Sequence, residues 1–492
     1  MLACRQTVGH RPQKTVDIRR QAGEINQIRV EPPRSSLRAR RGAGLGILLS
    51  VGKSSVIAER TGGPLANPRR GFLFLQGMAT RFFERLGRAL AERGHAVHRV
   101  NFNGGDRAFW RLSGAVDFCG RPEDWPEFLD RLIVERAISD IILFGDCRPL
   151  HRTAIRVGEG RALRIHVVEE GYLRPDWITF EEGGVNGHSA LPRDAGWYRE
   201  RARSLPPWRD PPPVPGSFRR RAAEDVLYTT ASTLGMWRFP HYATHRPYYQ
   251  LIEYAGWLRR LALKRRAEQR ATNIVDAICG KSGPLFLFPL QLDCDYQVRV
   301  HSPFRAMHLA IEHVLTSFAA HAPATARLVV KLHPLDSGLV DWTAITGHLA
   351  VELGIADRIV TLDGGDLGKL LACAPAIVTV NSTVGTLALA AGLPVVALGK
   401  AVYDIPGLTF QGELDDFWKA PTPPDPLLFD AFRRILAARC LIPGSFFNET
   451  GLRLAVDAAV ERLEATYARP ARGEATPPAG IETPIGAAVS MR

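Results

Sequence analysis

Apolar and polar positions along this chain fall into two similar series. From residue 71, "GFLFLQG" is an apolar run ending in a glycine turn. "RFFERLGRALAERG" repeats apolar residues at helical spacing and closes at Gly94, and "HAVHRVNFNGG" is a second strand with its own glycine turn. "PEDWPEFLDRLIVERA" then predicts a helix, "DIILFGD" a buried strand and "ALRIHVVEE" the next strand. Strands that alternate with helices imply a parallel sheet covered on both faces. The rhythm stops at the proline-rich "SLPPWRDPPPVPGSFRRR". Beyond it, "PYYQLIEYAGWLRRLALKRRAEQRATNIVDAI" predicts one long helix. The second series follows, through "PLFLFPLQL", "AMHLAIEHVLTSFAA", "RLVVKLHP", "RIVTLDG", "AIVTVNST", "VGTLALAAG" and "LPVVALG".

The predicted fold class is α/β, with two Rossmann-like, doubly wound domains facing a cleft, a helical insert and disordered termini. The expected divisions are a basic, mostly disordered leader (1–70), an N-terminal domain (71–215), a linker with the long helix (216–280), a C-terminal domain (281–415), closing helices (416–465) and a disordered tail (466–492). Ligands of such sheets bind beyond the carboxyl ends of the strands, so polar residues at strand ends carry the functional expectations.

Charge changes this picture little. The chain of 492 residues carries a formal +13, but residues 1–70 hold 14 Lys/Arg against 4 Asp/Glu, so most of the basic character belongs to the leader. Nucleic acid is therefore not expected as a partner. In the leader, "GLGILLSVGKSS" fails as a phosphate loop, because five residues separate Gly46 from Gly52 before Lys53. It is also too short for a membrane span. Seven cysteines (Cys4, Cys119, Cys147, Cys279, Cys294, Cys373, Cys440) are scattered without a C-x-x-C. They predict neither a disulfide framework nor a zinc site, and they fit a reducing, cytoplasmic setting.

Three constellations sit at predicted strand ends. In "HVVEEGYLRPDWITF", Glu169 and Glu170 are adjacent on a strand and point to opposite faces, so one faces the cleft while the other braces the turn at Gly171. Two solvated loop acids are the competing explanation. In "VVKLHPLD", Pro334 holds His333 extended where the strand stops, with its imidazole available to a phosphate oxygen. In "AIVTVNSTVGTLALAAG", Asn381, Ser382 and Thr383 lie where a strand hands over to a helix, which suits either capping or anion capture.

Acid-acid-Gly followed by H-P and S/T resembles the bacterial CMP-sugar transferases of GT-B fold. The motifs "LQG…FF", "NFNGGD", "LFGDCRPLHR", "EEGYLRPDWITFE", "GVNGHS", "HRPYYQLIEYAGW" and "LQLDCDYQVRVHSPF" resemble more closely the capsule polysaccharide biosynthesis/export family of the KpsS/LipB type, over about residues 71 to 465. That resemblance implies a retaining β-Kdo transferase that moves Kdo from CMP-β-Kdo to a lysophosphatidylglycerol-type lipid at the inner face of the cytoplasmic membrane, in a capsule assembly context. It implies Glu170 as catalytic carboxylate and His333 as the group assisting CMP departure. Substrate-binding places fall to Gln76, Gly77, Asp146, Arg148, Glu169, Gly171, Arg174, Gln291, Asp295, Pro334, Asn381, Ser382 and Thr383. Arg174 suits the Kdo carboxylate, with a salt bridge to Glu169 or Glu181 as its alternative. Asp146, Arg148 and His151 suit the acceptor side, with a surface turn as theirs.

No cofactor is expected. Asp293 and Asp295 have D-x-D spacing, but a CMP donor has one phosphate and needs no metal, which leaves Asp295 and Gln297 as pocket lining. The long helix from Pro247 carries Tyr248, Tyr249, Tyr254 and Trp257 before Arg259, Arg260, Lys264, Arg265 and Arg266. That face suits either anionic headgroups or an interdomain contact. Rival readings are a sugar-nucleotide epimerase and a non-enzymatic export or assembly component.

Overall fold

The computed structural model describes residues 69–244, 250–280 and 283–467. The leader up to residue 68, the tail from residue 468, and Pro247, Tyr248 and Tyr249 lie outside the described residues.

The first sheet contains β1 (Gly71–Phe74), β2 (Ala96–Asn101), β3 (Ala115–Asp117), β4 (Asp140–Phe144), β5 (Arg164–Glu170) and β6 (Trp177–Glu182). The second contains β7 (Leu285–Pro289), β8 (Arg327–Lys331), β9 (Ile359–Leu362), β10 (Ala376–Thr379) and β11 (Val395–Ala397), in the order β11-β10-β7-β8-β9, all parallel. The chain then returns, and β12 (Leu441–Pro443) joins the edge of the first sheet, whose order is β12-β6-β5-β4-β1-β2-β3. The two α/β units form the GT-B arrangement expected from the sequence.

The first sheet is not wholly parallel. β6 runs antiparallel to β5, and β12 antiparallel to β6. The connection from Glu170 to Trp177 is too short for the crossover that a parallel neighbour requires, so the chain must double back. This places the two acids. β4 pairs with β5 only as far as Phe144 opposite Val168, so Glu169 and Glu170 overhang the end of β4 and are braced by Thr179 and Ile178 on β6.

Alternation along β1 sends Phe72 and Phe74 to one face, against the helices Phe82–Glu92 and Glu449–Tyr467, and Leu73 to the other, against Trp125 and Leu129. Packing of the terminal helix explains why residues after 440 belong with the first sheet. Arg70, at the edge of the supposed leader, is already structural. Its guanidinium is buried against Asp140, with Nε 2.9 Å from Oδ2.

A helix at Phe218–Leu234, not foreseen in the linker, docks on the "NFNGGD" turn. There buried Asp106 pairs with Arg99 at 2.9 Å and accepts from the Tyr228 hydroxyl at 3.0 Å. The long helix spans Gln250–Cys279. Its last turns are buried through Ala271, Val275 and Ile278, and its end is tied by a disulfide from Cys279 to Cys373. That bond corrects the expectation from scattered cysteines and removes their support for a reducing setting. The two sulfurs are 94 residues apart in sequence, so only the packing of two helices brings them together.

Candidate functional site

Where β5 ends, the chain turns at Gly171 against β6. A Cβ there would stand 2.2 Å from the Trp177 carbonyl oxygen, so only glycine lets the strands approach this closely. The two half-buried acids before the turn have different surroundings. Glu170 Oε1 accepts from Arg221 Nη1 at 2.6 Å, and Oε2 lies 3.1 Å from Arg174 Nη2. Burial raises the Glu170 pKa, but the Arg174 and Arg221 guanidinium groups outweigh it and hold this carboxyl below its usual range. Glu169 accepts from Asn186 Nδ2 at 2.6 Å instead of from a guanidinium. Burial, with repulsion from Asp146, Asp295 and Glu170, pushes it up to about 8. Side by side stand an ionised and a protonated carboxyl, a separation of roles characteristic of acid/base sites.

The second unit supplies the facing groups. His333 follows β8, and its Nδ1 accepts from the Leu335 N–H at 3.0 Å. The neutral ring therefore carries its proton on Nε2 and presents a donor. Burial, then Arg174, pulls its pKa down to about 4, so it is an uncharged donor near neutrality rather than an imidazolium. Glu170 and His333 are close enough for each to influence the other's charge. Arg260 from the long helix braces this loop, reaching the carbonyls of His333 and Asp336 and the Asp363 carboxylate. Asp295 caps its own turn through the Gln297 N–H at 2.9 Å, and burial raises its pKa, with Glu170 repelling it. Asp293 is committed to Arg299 and the Met307 N–H, so the D-x-D acids do not act as a pair.

The Ser382 hydroxyl accepts from the Val384 N–H at 3.2 Å as the helix Val384–Ala390 begins, and Thr383 makes no side-chain cap. Thr386, one turn on, places its hydroxyl 2.9 Å from the carbonyl of Tyr172, which joins this helix to the turn after Glu170. Asn381 and Gln291 are buried and bond each other at 2.9 Å, with Asn381 also reaching the backbone of Gln297 and His301. They brace the ends of β7 and β10. Gln297 thus contributes through its carbonyl and N–H.

A cavity of about 1310 Å³ opens beside this cluster. Gln76, Gly77, Arg148, Arg221 and Pro334 line it, together with Tyr254, Trp257, Leu258 and Leu261 of the long helix. Glu169, Glu170, His333 and Ser382 are not among its lining residues, so the carboxylate cluster adjoins it through Arg221. Gln76 donates to the hydroxyls of Tyr228 and Tyr242, each at 2.9 Å. Arg148 reaches the Gly77 carbonyl at 3.4 Å. Asp146 and His151 are absent from the lining and buried, His151 Nδ1 lying 2.7 Å from the Gly145 carbonyl and its pKa pulled by burial to about 3. Neither forms a surface turn.

Arg174 pairs with Glu170 rather than with Glu169 or Glu181, because Glu181 points to the opposite sheet face and bonds Tyr172 and Ser189. Arg260 turns to the second sheet instead of joining the exposed basic face. Arg221 was missed by sequence reasoning. Its signal was the arginine run 219–221 after the proline-rich stretch, which reads there as a linker.

The family model described as "Capsule polysaccharide biosynthesis protein" matches residues 139–447. "Capsule polysaccharide modification protein LipB" of Neisseria meningitidis serogroup A is 36% identical over 394 residues, covering 78% of this chain and 93% of its own. "Capsule polysaccharide export protein KpsS" of Escherichia coli is 34% identical over 379 residues, covering 76% and 96%. Among solved structures, "Thermosulfurimonas dismutans KpsC, beta Kdo 2,7 transferase" aligns over 80% of this chain and 100% of its own, with 14% identity and a TM-score of 0.38, a likeness too remote to argue from. By the family match and these relatives, the chain belongs to the capsule polysaccharide biosynthesis family.

Proposed function

We propose that the chain is a retaining glycosyltransferase that moves Kdo from CMP-β-Kdo to a lysophosphatidylglycerol-type lipid at the inner face of the cytoplasmic membrane. The observation that carries this reading is the ionised Glu170, held by two arginines at a strand end and facing the neutral donor His333 across the cleft. In the first step Glu170 attacks or stabilises the anomeric carbon as its bond to the CMP phosphate breaks, and CMP leaves with the electron pair. The His333 Nε2–H donates to that phosphate, and the Ser382 turn stands beside it. In the second step the acceptor hydroxyl attacks the anomeric carbon, the bond to Glu170 breaks with its electron pair returning to the carboxylate, and the hydroxyl proton passes to solvent, which restores the β configuration. Arg174, paired with Glu170, also reaches the Kdo carboxylate through its free guanidinium N–H groups as substrate enters. A protonated Glu169 avoids a third negative charge near that carboxylate.

The cavity supports a lipid acceptor. It joins apolar walls from Trp257, Leu258 and Leu261 to Arg221, Arg259, Lys264 and Arg266, a match for an acyl chain with an anionic headgroup. Phe218, Leu258 and Leu261 of its lining are exposed. Among the described residues no helix is long and apolar enough to cross a membrane. Attachment through this face suits a capsule assembly complex at the bilayer.

The test incubates purified protein with CMP-Kdo generated in situ and a fluorescent lysophosphatidylglycerol. A lipid larger by one Kdo, with CMP released, is expected. An unchanged lipid without CMP release overturns the reading in favour of an assembly role, and turnover of a UDP-sugar favours an epimerase.

A further inference from the structure

A second cluster lies where the two α/β units meet, behind the carboxylates. Asp146 and Cys147 follow β4, His188 lies in the turn Asn186–His188 after β6, and His301 comes from the second unit. One ligand atom from each of the four lies within 4.8 Å of the others. Cys147 Sγ is 3.3 Å from His301 Nε2 and 3.2 Å from Asp146 Oδ1, and His188 Nδ1 is 3.0 Å from Asp146 Oδ2. Bond lengths of about 2.0–2.3 Å in a tetrahedral zinc site put its ligand atoms about 3.3–3.8 Å apart, so the Cys147–His301 and Cys147–Asp146 edges already approach that size, while His188 contacts the other Asp146 oxygen.

The surroundings hold these donors in place. The Val185 N–H donates to Asp146 Oδ2 at 3.1 Å, and the His301 backbone is fixed through the Lys400 N–H at 2.7 Å and Asn381 Nδ2 at 3.3 Å. Gly187 gives His301 its space, since a Cβ there would stand 2.4 Å from Nδ1. Asp146, Cys147 and His301 are buried, while half of His188 is exposed and leaves a path for entry.

We infer that Asp146, Cys147, His188 and His301 form a divalent zinc-type metal site that pins the two α/β units together. One thiolate, one carboxylate and two neutral imidazoles cancel a 2+ charge, so the occupied site is neutral overall, as a buried position requires. Soft sulfur with nitrogen selects zinc over magnesium or calcium, which demand oxygen. Binding releases the Cys147 thiol proton to solvent, and each neutral imidazole coordinates through its unprotonated nitrogen. The site departs from the metal-free expectation based on the CMP donor, and it does not depend on the transferase reading, because its ligands take no part in the proposed reaction.

The test uses the untagged full chain purified without chelator, with elemental analysis and cobalt substitution. About one zinc per chain is expected, with a sulfur-to-cobalt charge-transfer band that Cys147→Ser abolishes. His301→Ala should lower metal content at least about tenfold. Because His188 is half-exposed, His188→Ala keeps the test open if the buried variants fail to fold. It should weaken zinc affinity at least about tenfold with an unchanged circular dichroism spectrum. A folded wild-type chain that takes up no zinc or cobalt overturns the site. So does metal content or a charge-transfer band that is the same in wild type and all three variants.

Discussion

Replacing Arg221 by methionine isolates the charge that keeps Glu170 ionised. Methionine retains an unbranched apolar stem beside Phe447, whose ring centroid lies 5.0 Å from the guanidinium carbon, and removes only the cation. Two unit charges 4 Å apart at an effective dielectric near 20 interact by about 4 kcal/mol. Arg221 contacts Glu170 more closely, at 2.6 Å, but its side chain is 33% exposed and Arg174 remains at 3.1 Å. Solvent and the second cation therefore cut the loss to about 1.4–2.8 kcal/mol, which raises the Glu170 pKa by about one to two units. Single-turnover sugar transfer with enzyme in excess, followed from mildly acid to alkaline pH, reads this directly. The acidic limb of the profile should move up by that amount, while the rate at high pH largely recovers. A limb that stays in place, or a loss equal at every pH, refutes the charge argument.

Other outcomes follow from the same geometry. His333→Ala removes one donor to the departing phosphate and should lower the transfer rate about 10²-fold without changing the circular dichroism spectrum. Glu169 has a folded pKa of about 8 against 4.5, so its contribution to stability is complete below about 4.5 and is lost as pH rises towards 8. The melting temperature of Glu169→Gln should therefore fall less over that window than that of wild type, as differential scanning calorimetry would show. Gly171→Ala forces β5 away from the Trp177 carbonyl and should cost about 1–3 kcal/mol in urea unfolding. Replacing Arg259 and Arg266 by glutamine should weaken cosedimentation with anionic vesicles about 30-fold, because each basic residue near such a surface contributes about 1 kcal/mol.

Periodicity made the strands and the long helix legible, because a fully buried parallel strand such as "LFLFP" and a glycine-closed helix leave unambiguous patterns. The acid pair, His333 and the Ser382 turn were likewise visible as polar residues where apolar runs stop. What stayed hidden depends on contacts remote in sequence. Arg221 is 51 residues from Glu170, and its place is set by the docking of Phe218–Leu234 on the Asp106 turn. The return of β12 to the first sheet and the Cys279–Cys373 bond are invisible for the same reason. The opposite charge states of Glu169 and Glu170 also escape a sequence reading. They arise from which face meets arginine and which meets Asn186, not from the residues themselves.

The central claim is that Glu170, not its neighbour, is the reacting carboxylate. Its most direct test measures CMP release and lipid glycosylation for Glu170→Gln and Glu169→Gln side by side. Glutamine imitates a protonated carboxyl, so the variant at 169 should keep activity within about tenfold, whereas the variant at 170 should lose at least about 10³-fold. Retained transfer at 170 together with a collapse at 169 would contradict the account.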